Sequence, residues 1–336
     1  MTISQAAMTA HTERVQTSTP PLAPVLRRRN RGRNSKAAYA YVAPFFVVFA
    51  AFSVYPWLDT AWVSLHDVRL TTYSQQRWIG LGNYQNLFTN TFFWNAFRNT
   101  ITIGIISTVP QLLIALGIAQ LLNYKLRGRT FFRVAMVMPY ATSLAAATVI
   151  FVELFGKDYG LINWVLHSVL HLPAVDWQGS KWPSQIAVST IVTWRWAGYN
   201  ALIYLAGMQS IDTTLYEAAA IDGSSRWQQF RYVTLPGLRP TILFTIVVST
   251  IGAAQLFGEP LLYDPQGNPT GGTGGQYQTL GLLMYQQGWT NDRLGLASAT
   301  AWTMFVIIVM AVLVNLWFAN RRERRSHPAA TAEAGQ

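Results

Sequence analysis

Arg195 is the only Lys or Arg deep inside any long apolar run of this chain, and its neighbours in TWRWAGYN (193–200) are Trp194, Trp196, Tyr199 and Asn200. A guanidinium is costly to place at membrane depth unless it has a partner or a task. Arg195 and Tyr199 are four residues apart and share one helical face. Five N–H donors beside aromatic rings suit binding rather than bond-breaking. Two roles stand open for Arg195: lining a polar path, or pairing with an acidic group such as Glu153 or Glu259. Other chemistry finds little support. His167 and His171 have helical spacing, but Ser168 stands where a zinc protease carries Glu, and no third ligand is evident. Asp158, Asp176, Asp264 and Asp292 are scattered, so an intramembrane enzyme such as a lipid-linked glycosyltransferase would lack its carboxylate pair. The stretch PQGNPTGGTGG (265–275) has no Lys and follows no strand, which predicts a flexible external loop rather than a phosphate cradle. No G-x-x-x-x-G-K-[ST] segment occurs, so an ATP site would have to come from another chain.

The elements that must position these residues are set by composition. Of 336 residues 51% are hydrophobic and only 12% charged, with a mean hydropathy of +0.20. That is too apolar for an ordinary soluble domain and points to a membrane protein. The net charge of +11 sits in short clusters beside apolar runs rather than along one face, which argues for membrane topology and against nucleic acid. With no cysteine there is no disulfide and no thiolate chemistry.

A hydrocarbon core of about 30 Å needs roughly 20 apolar residues per helix. Six segments qualify: 38–57, 100–122, 131–155, 184–208, 241–258 and 296–318. The first is too long and too late in the chain for a cleaved leader. With the N-terminus inside, the cytoplasmic flanks hold Arg27, Arg28, Arg29, Arg31, Arg33, Lys36, Lys125, Arg127, Arg129, Arg133, Arg226, Arg231, Arg239, Arg321, Arg322, Arg324 and Arg325. The external flanks hold Arg69, Arg77, Arg98, Lys157, Lys181 and Arg293, so both termini are expected in the cytoplasm. Residues 1–36 form an expected disordered basic tail, 37–320 the transmembrane domain, and 321–336 a second disordered tail. Trp57, Trp62, Trp78, Trp94, Trp177, Trp182 and Trp289 read as an external interfacial belt.

This topology puts YEAAAIDGSSRWQQFRYVTLPGLRP (216–240) on the cytoplasmic side. It predicts two short helices. Asp212 caps the first, which ends at Gly223, a residue suited to left-handed geometry. Ser225 and Gln228 form a capping box for the second, which ends before Pro236, and Pro240 suits the first turn of the next span.

Glu217-Ala218-Ala219, Asp222-Gly223, Val233 and Leu235-Pro236 resemble the EAA loop of permease subunits of binding-protein-dependent ABC importers. PYATSLAAATVIF (139–151) and TWRWAGYNALIYLAGMQSID (193–212) are similar to its carbohydrate-uptake branch, related to the maltose and glycerol-phosphate permeases, over roughly residues 38–325. The resemblance implies an all-α membrane protein with the type I permease fold: six transmembrane helices, both termini cytoplasmic, and a coupling loop at 212–240. It implies a multi-pass place in a bacterial plasma membrane, no catalytic or metal site, and no cofactor in this chain. ATP and Mg would sit on a separate ATPase dimer, which Tyr216, Glu217, Ala218, Ala219, Asp222, Gly223, Leu235 and Pro236 would contact. Further implied partners are a second, different permease, an external sugar-binding protein and the sugar.

By position, the resemblance assigns the substrate path to Tyr140, Ser143, Trp194, Arg195, Tyr199, Asn200, Thr250, Gln255 and Glu259. Aromatic rings there would stack on sugar C–H faces while polar groups bond the hydroxyls. Val233 departs from the Ile common in the loop pattern, and bulky Trp196 and Ile251 stand where the maltose permease has small or amide residues. A secondary transporter, the other alternative, would show internal repeats and several mid-membrane ionisable groups; apart from Arg195 there are none. The abundance of Trp and Tyr in the outer half favours a disaccharide or short oligosaccharide.

Overall fold

The computed structural model describes residues 35–124 and 127–326, with side chains over 39–124 and 127–319. The tail expected over 1–36 therefore lies outside the described residues except for 35–36, and so do Lys125, Leu126 and residues 327–336. Two units can be distinguished, divided after Pro56. The described part of the first consists of α1 (Ser35–Phe49), a π-helical turn at Ala50–Val54 and the start of α2 (Tyr55–Ser64), and every side chain described in it is exposed.

The second unit holds the rest of α2, a short antiparallel ladder of β1 (His66–Asp67) and β2 (Arg77–Trp78), then α3 (Gly82–Thr89) and α4 (Thr91–Asn123). There follow α5 (Arg129–Ala141), α6 (Leu144–Leu154), α7 (Leu161–Ser168) and α8 (Lys181–Gln209). Next come α9 (Thr213–Ile221), α10 (Arg226–Gln229), α11 (Leu235–Gly237), α12 (Arg239–Ala254) and α13 (Gly258–Tyr263). The chain closes with α14 (Leu280–Tyr285) and α15 (Leu294–Ser326), so the last helix runs beyond the expected boundary at 320.

Among the described residues three helices, Tyr39–Ser64, Thr91–Asn123 and Leu294–Ala319, are long and apolar enough to cross a membrane, and five if each of two bent pairs counts as one span. The expected third span is such a pair: α5 and α6 meet at 90°. Pro139 in the last turn of α5 has no N–H for the helix ladder, and Thr142 and Ser143 take extended geometry just beyond it. The expected fifth span is shorter than foreseen, since α12 ends at Ala254, and it joins α10–α11 at 65°. α8 has 29 residues, about 43 Å at 1.5 Å per residue, but its Arg, Gln and Ser content keeps it out of the apolar set.

The core is built on α4 and α8, which make the most extensive helix pair. Small residues, Ala115, Ala119, Ala187 and Ala201, are fully buried along it and let the backbones approach. Gly198 does the same for α5 against α8: a Cβ there would collide with the carbonyl of Met136. Six of the seven tryptophans expected on the external side are exposed. Trp177 is not; its indole N–H donates to Asn163 Oδ1 at 2.9 Å and its ring packs on the core.

Candidate functional site

Two helix breaks flank α8. The α5–α6 break carries Tyr140 and Ser143, both exposed; α8 presents Arg195 and Tyr199; and the break after α12 carries Gln255 and, in the first turn of α13, Glu259. Tyr140 stacks on Tyr199 with centroids 4.8 Å apart and meets Trp196 edge-on at 5.1 Å. Trp194 turns the other way, onto Phe151 at 5.4 Å.

Arg195 Nη1 donates to Glu259 Oε1 at 2.9 Å, with side-chain exposures of 13% and 7%. Of the two structural partners the sequence offered, Glu259 is the one used; Glu153 is exposed at the end of α6. The pair ties α8 to the break after α12. Arg195 Nε is buried and makes no hydrogen bond. The Tyr140–Tyr199 pair offers an aromatic surface of the kind that stacks on sugar C–H faces, and Ser143 and Gln255 are exposed at the two helix breaks. One turn further along, α5 and α8 enclose a groove of about 640 Å³ lined by Met138, Ala141 and Leu202, with Arg133 and Gln209 at its far end.

Two of the expected path residues are placed elsewhere. Asn200 is buried, and its Nδ2 donates back to the Trp196 carbonyl at 3.1 Å. Thr250 lies on the face of α12 that lines an apolar cavity of about 530 Å³ with α4 and α15, and its hydroxyl donates to the Ile246 carbonyl. Each side chain lies on a helix face turned away from the Arg195 cluster, and sequence spacing alone did not fix those faces.

The glycine-rich stretch 265–275 is anchored rather than free. Asn99 Nδ2 donates to the carbonyls of Gly275 (2.7 Å) and Gln278 (3.1 Å). Gln185 Nε2 donates to Asn99 Oδ1 (2.9 Å) and the Gln276 carbonyl (2.8 Å), while its Oε1 accepts from Thr102. Gly267, Gly271, Gly272 and Gly275 take positive φ, a conformation that glycine adopts without steric cost. Local patterning does not single out Asn99 and Gln185, whose full burial becomes visible only in the fold.

The second cluster is the hairpin at 212–240. Asp212 Oδ1 accepts from Thr214 N at 2.9 Å, capping α9 as expected, and these bonds hold its carboxyl below the usual range. Gly223 takes φ +77°, and Ser225 with Gln228 makes the full capping box before α10. Pro236 does not end the second helix: α10 passes through a π-helical turn at Phe230–Thr234 into α11, which contains Leu235 and Pro236. Pro240 does sit in the first turn of α12.

No residue of α9 is buried. Glu217, Ala218, Asp222 and Gly223 are exposed, and Ala219 and Leu235 are half-buried. Tyr216 is turned inward, its hydroxyl 2.9 Å from Thr234 Oγ1, so it holds the two halves of the hairpin together. Around these lie exposed apolar side chains: Leu215, Ile221 (87% exposed), Trp227 and Tyr232. Exposed apolar patches of this kind occur at protein or membrane contacts.

Residues 105–324 match the model of a family described as binding-protein-dependent transport system inner membrane component. The chain is 35% identical over 290 residues to a lactose transport system permease of Rhizobium radiobacter, covering 85% of this chain and 94% of that one. It is 30% identical over 285 residues to a trehalose/maltose transport system permease of Thermococcus litoralis, covering 84% and 94%. A solved bacterial ABC transporter involved in import of the acidic polysaccharide alginate shares the fold, with a TM-score of 0.71 at 24% identity over 85% of this chain and 96% of that chain.

Proposed function

Because this chain belongs to the family of binding-protein-dependent transport system inner membrane components, we propose that it is one permease subunit of an ATP-driven importer of a di- or oligosaccharide. It forms half of the translocation path and pairs with a second, different permease. An external sugar-binding protein delivers substrate. A separate dimeric ATPase carries ATP and Mg, since this chain has no phosphate loop.

The observation that carries this function is the hairpin: a capped α9 with no buried residue, turned by Gly223 and surrounded by exposed apolar groups. Rigid and self-braced through Tyr216 and Thr234, it can pass a push from an ATPase cleft along α10–α11 into α12, to which it is joined by a bend rather than a loose linker. Six spans, counting α8 and both bent pairs, and cytoplasmic termini complete the proposed topology. The path is lined by Tyr140, Ser143, Arg195, Tyr199, Gln255 and Glu259, with Trp194, Asn200 and Thr250 in supporting positions.

The lack of cysteine permits a direct test of that topology. Single substitutions Ser168→Cys and Thr273→Cys, both exposed, are expected to react with an impermeant thiol reagent added to intact cells, and Ala220→Cys, exposed on α9, only after the membrane is opened. Labelling of Ala220→Cys in sealed cells would invert the orientation and remove the hairpin from the ATPase side.

A further inference from the structure

We propose that the Arg195 cluster accepts uncharged sugars and discriminates against acidic ones, with Glu259 as the selectivity residue; this rests on the path assignment above. An unpaired guanidinium at membrane depth would be an anion site, suited to a uronate carboxylate or a sugar phosphate. Here that charge is already balanced. Arg195 Nη1 holds Glu259 Oε1 at 2.9 Å, and both side chains are largely withdrawn from solvent.

An acidic sugar would meet a neutral pair, and to reach the guanidinium it would have to displace Glu259. That leaves a buried carboxylate without a counter-ion, a penalty of roughly 10²-fold in affinity or more. The remaining charged side chains described on α5, α6, α8, α12 and α13 lie at or near helix ends: Arg129, Arg133, Glu153, Lys181 and Arg239. Arg129 is engaged with the Leu122 and Asn123 carbonyls. Arg133 lies on α5 nearer its start, separated from Tyr140 by nearly two full turns of helix.

What the cluster does offer suits a neutral ring. The exposed edge of the Tyr140–Tyr199 stack supplies an apolar platform, Ser143 and Gln255 are exposed at the two breaks, and Arg195 Nε is a buried donor still without an acceptor.

The test uses the whole complex, purified through this chain and held in lipid nanodiscs. Equilibrium binding is measured for neutral probes (lactose, maltose, trehalose) and acidic ones (digalacturonate, sucrose phosphate). Wild type should bind at least one neutral probe and bind the acidic probes at least ~10-fold more weakly. Glu259→Gln keeps an acceptor for Arg195 but removes the counter-charge, so the acidic-to-neutral preference should rise by ~10-fold or more. The double variant Arg195→Gln/Glu259→Gln, free of both charges, should return to the wild-type preference, and it decides the matter if the single variant does not assemble.

A wild type that prefers an acidic probe overturns the proposal. So does an assembled Glu259→Gln complex with unchanged preference, or a double variant that gains acidic binding. Loss of the path assignment has a separate signature: Tyr140→Ala and Tyr199→Ala would leave binding of every probe unchanged.

Discussion

Glu217→Lys is expected to insert and assemble normally yet lose substrate-stimulated ATP hydrolysis and sugar uptake by at least ~10-fold, in keeping with the several kcal/mol that like-charge juxtaposition costs at an interface. Glu217 is exposed on a helix that buries nothing of its own, so the change costs the isolated fold little. In the proposed complex it faces a polar or basic group in the ATPase cleft, and reversing its sign turns attraction into repulsion. Gly223→Pro should give the same phenotype by a different route. Its φ of +77° is closed to proline, whose ring holds φ near about −65°. Asparagine tolerates left-handed geometry, so Gly223→Asn should retain much of the activity. Complex yield, vanadate-sensitive ATP hydrolysis and uptake measured together separate uncoupling from misfolding. Normal uptake by both Glu217→Lys and Gly223→Pro would remove the hairpin as the transmission element.

The second large effect is at the ion pair. Arg195→Met keeps most of the side-chain volume but leaves Glu259 buried opposite a thioether. Removing one partner of a buried pair costs about 3–5 kcal/mol, enough to lower the yield of assembled complex severely whatever sugar is tested. Arg195→Met/Glu259→Leu removes both charges and should recover much of that yield, because the two losses are coupled. The readout is monodisperse complex after extraction. Full yield of the single variant would show that the contact at 2.9 Å contributes nothing to assembly; equal loss in the double variant would show that volume rather than charge was missing.

Local chemistry was the legible part of this chain. Asp212, Ser225 with Gln228, Gly223 and Pro240 are found in the caps and turns their types dictate, because each acts within a few residues of itself. Arg195 stood out because a guanidinium in an apolar run is expensive wherever it points. Side-chain direction was harder to read. Asn200 and Tyr199 are neighbours in sequence, yet one is buried against its own helix and the other stacks on Tyr140.

Partnerships across long separations were harder still. Glu259 is 64 residues from Arg195, and Asn99 is 176 residues from the Gly275 carbonyl it holds. Nothing in local spacing turns a glycine-rich stretch from a free loop into an anchored one. The 90° bend between α5 and α6 had a signal in Pro139, but apolar composition on both sides read as one continuous span. Pro236 misled in the opposite direction: it lies in α11, which follows directly on the π-helical turn at Phe230–Thr234, and the helix runs through it to Gly237.

Proteoliposomes made with the complex purified through this chain, together with its ATPase, second permease and binding protein, give the most direct test of the transport function. Labelled sugar should accumulate only when ATP is supplied on the hairpin side and the binding protein on the other, and collapsing the proton and sodium gradients should leave the rate unchanged. Accumulation driven by an ion gradient without ATP, or none with every component present, would contradict an ATP-coupled permease.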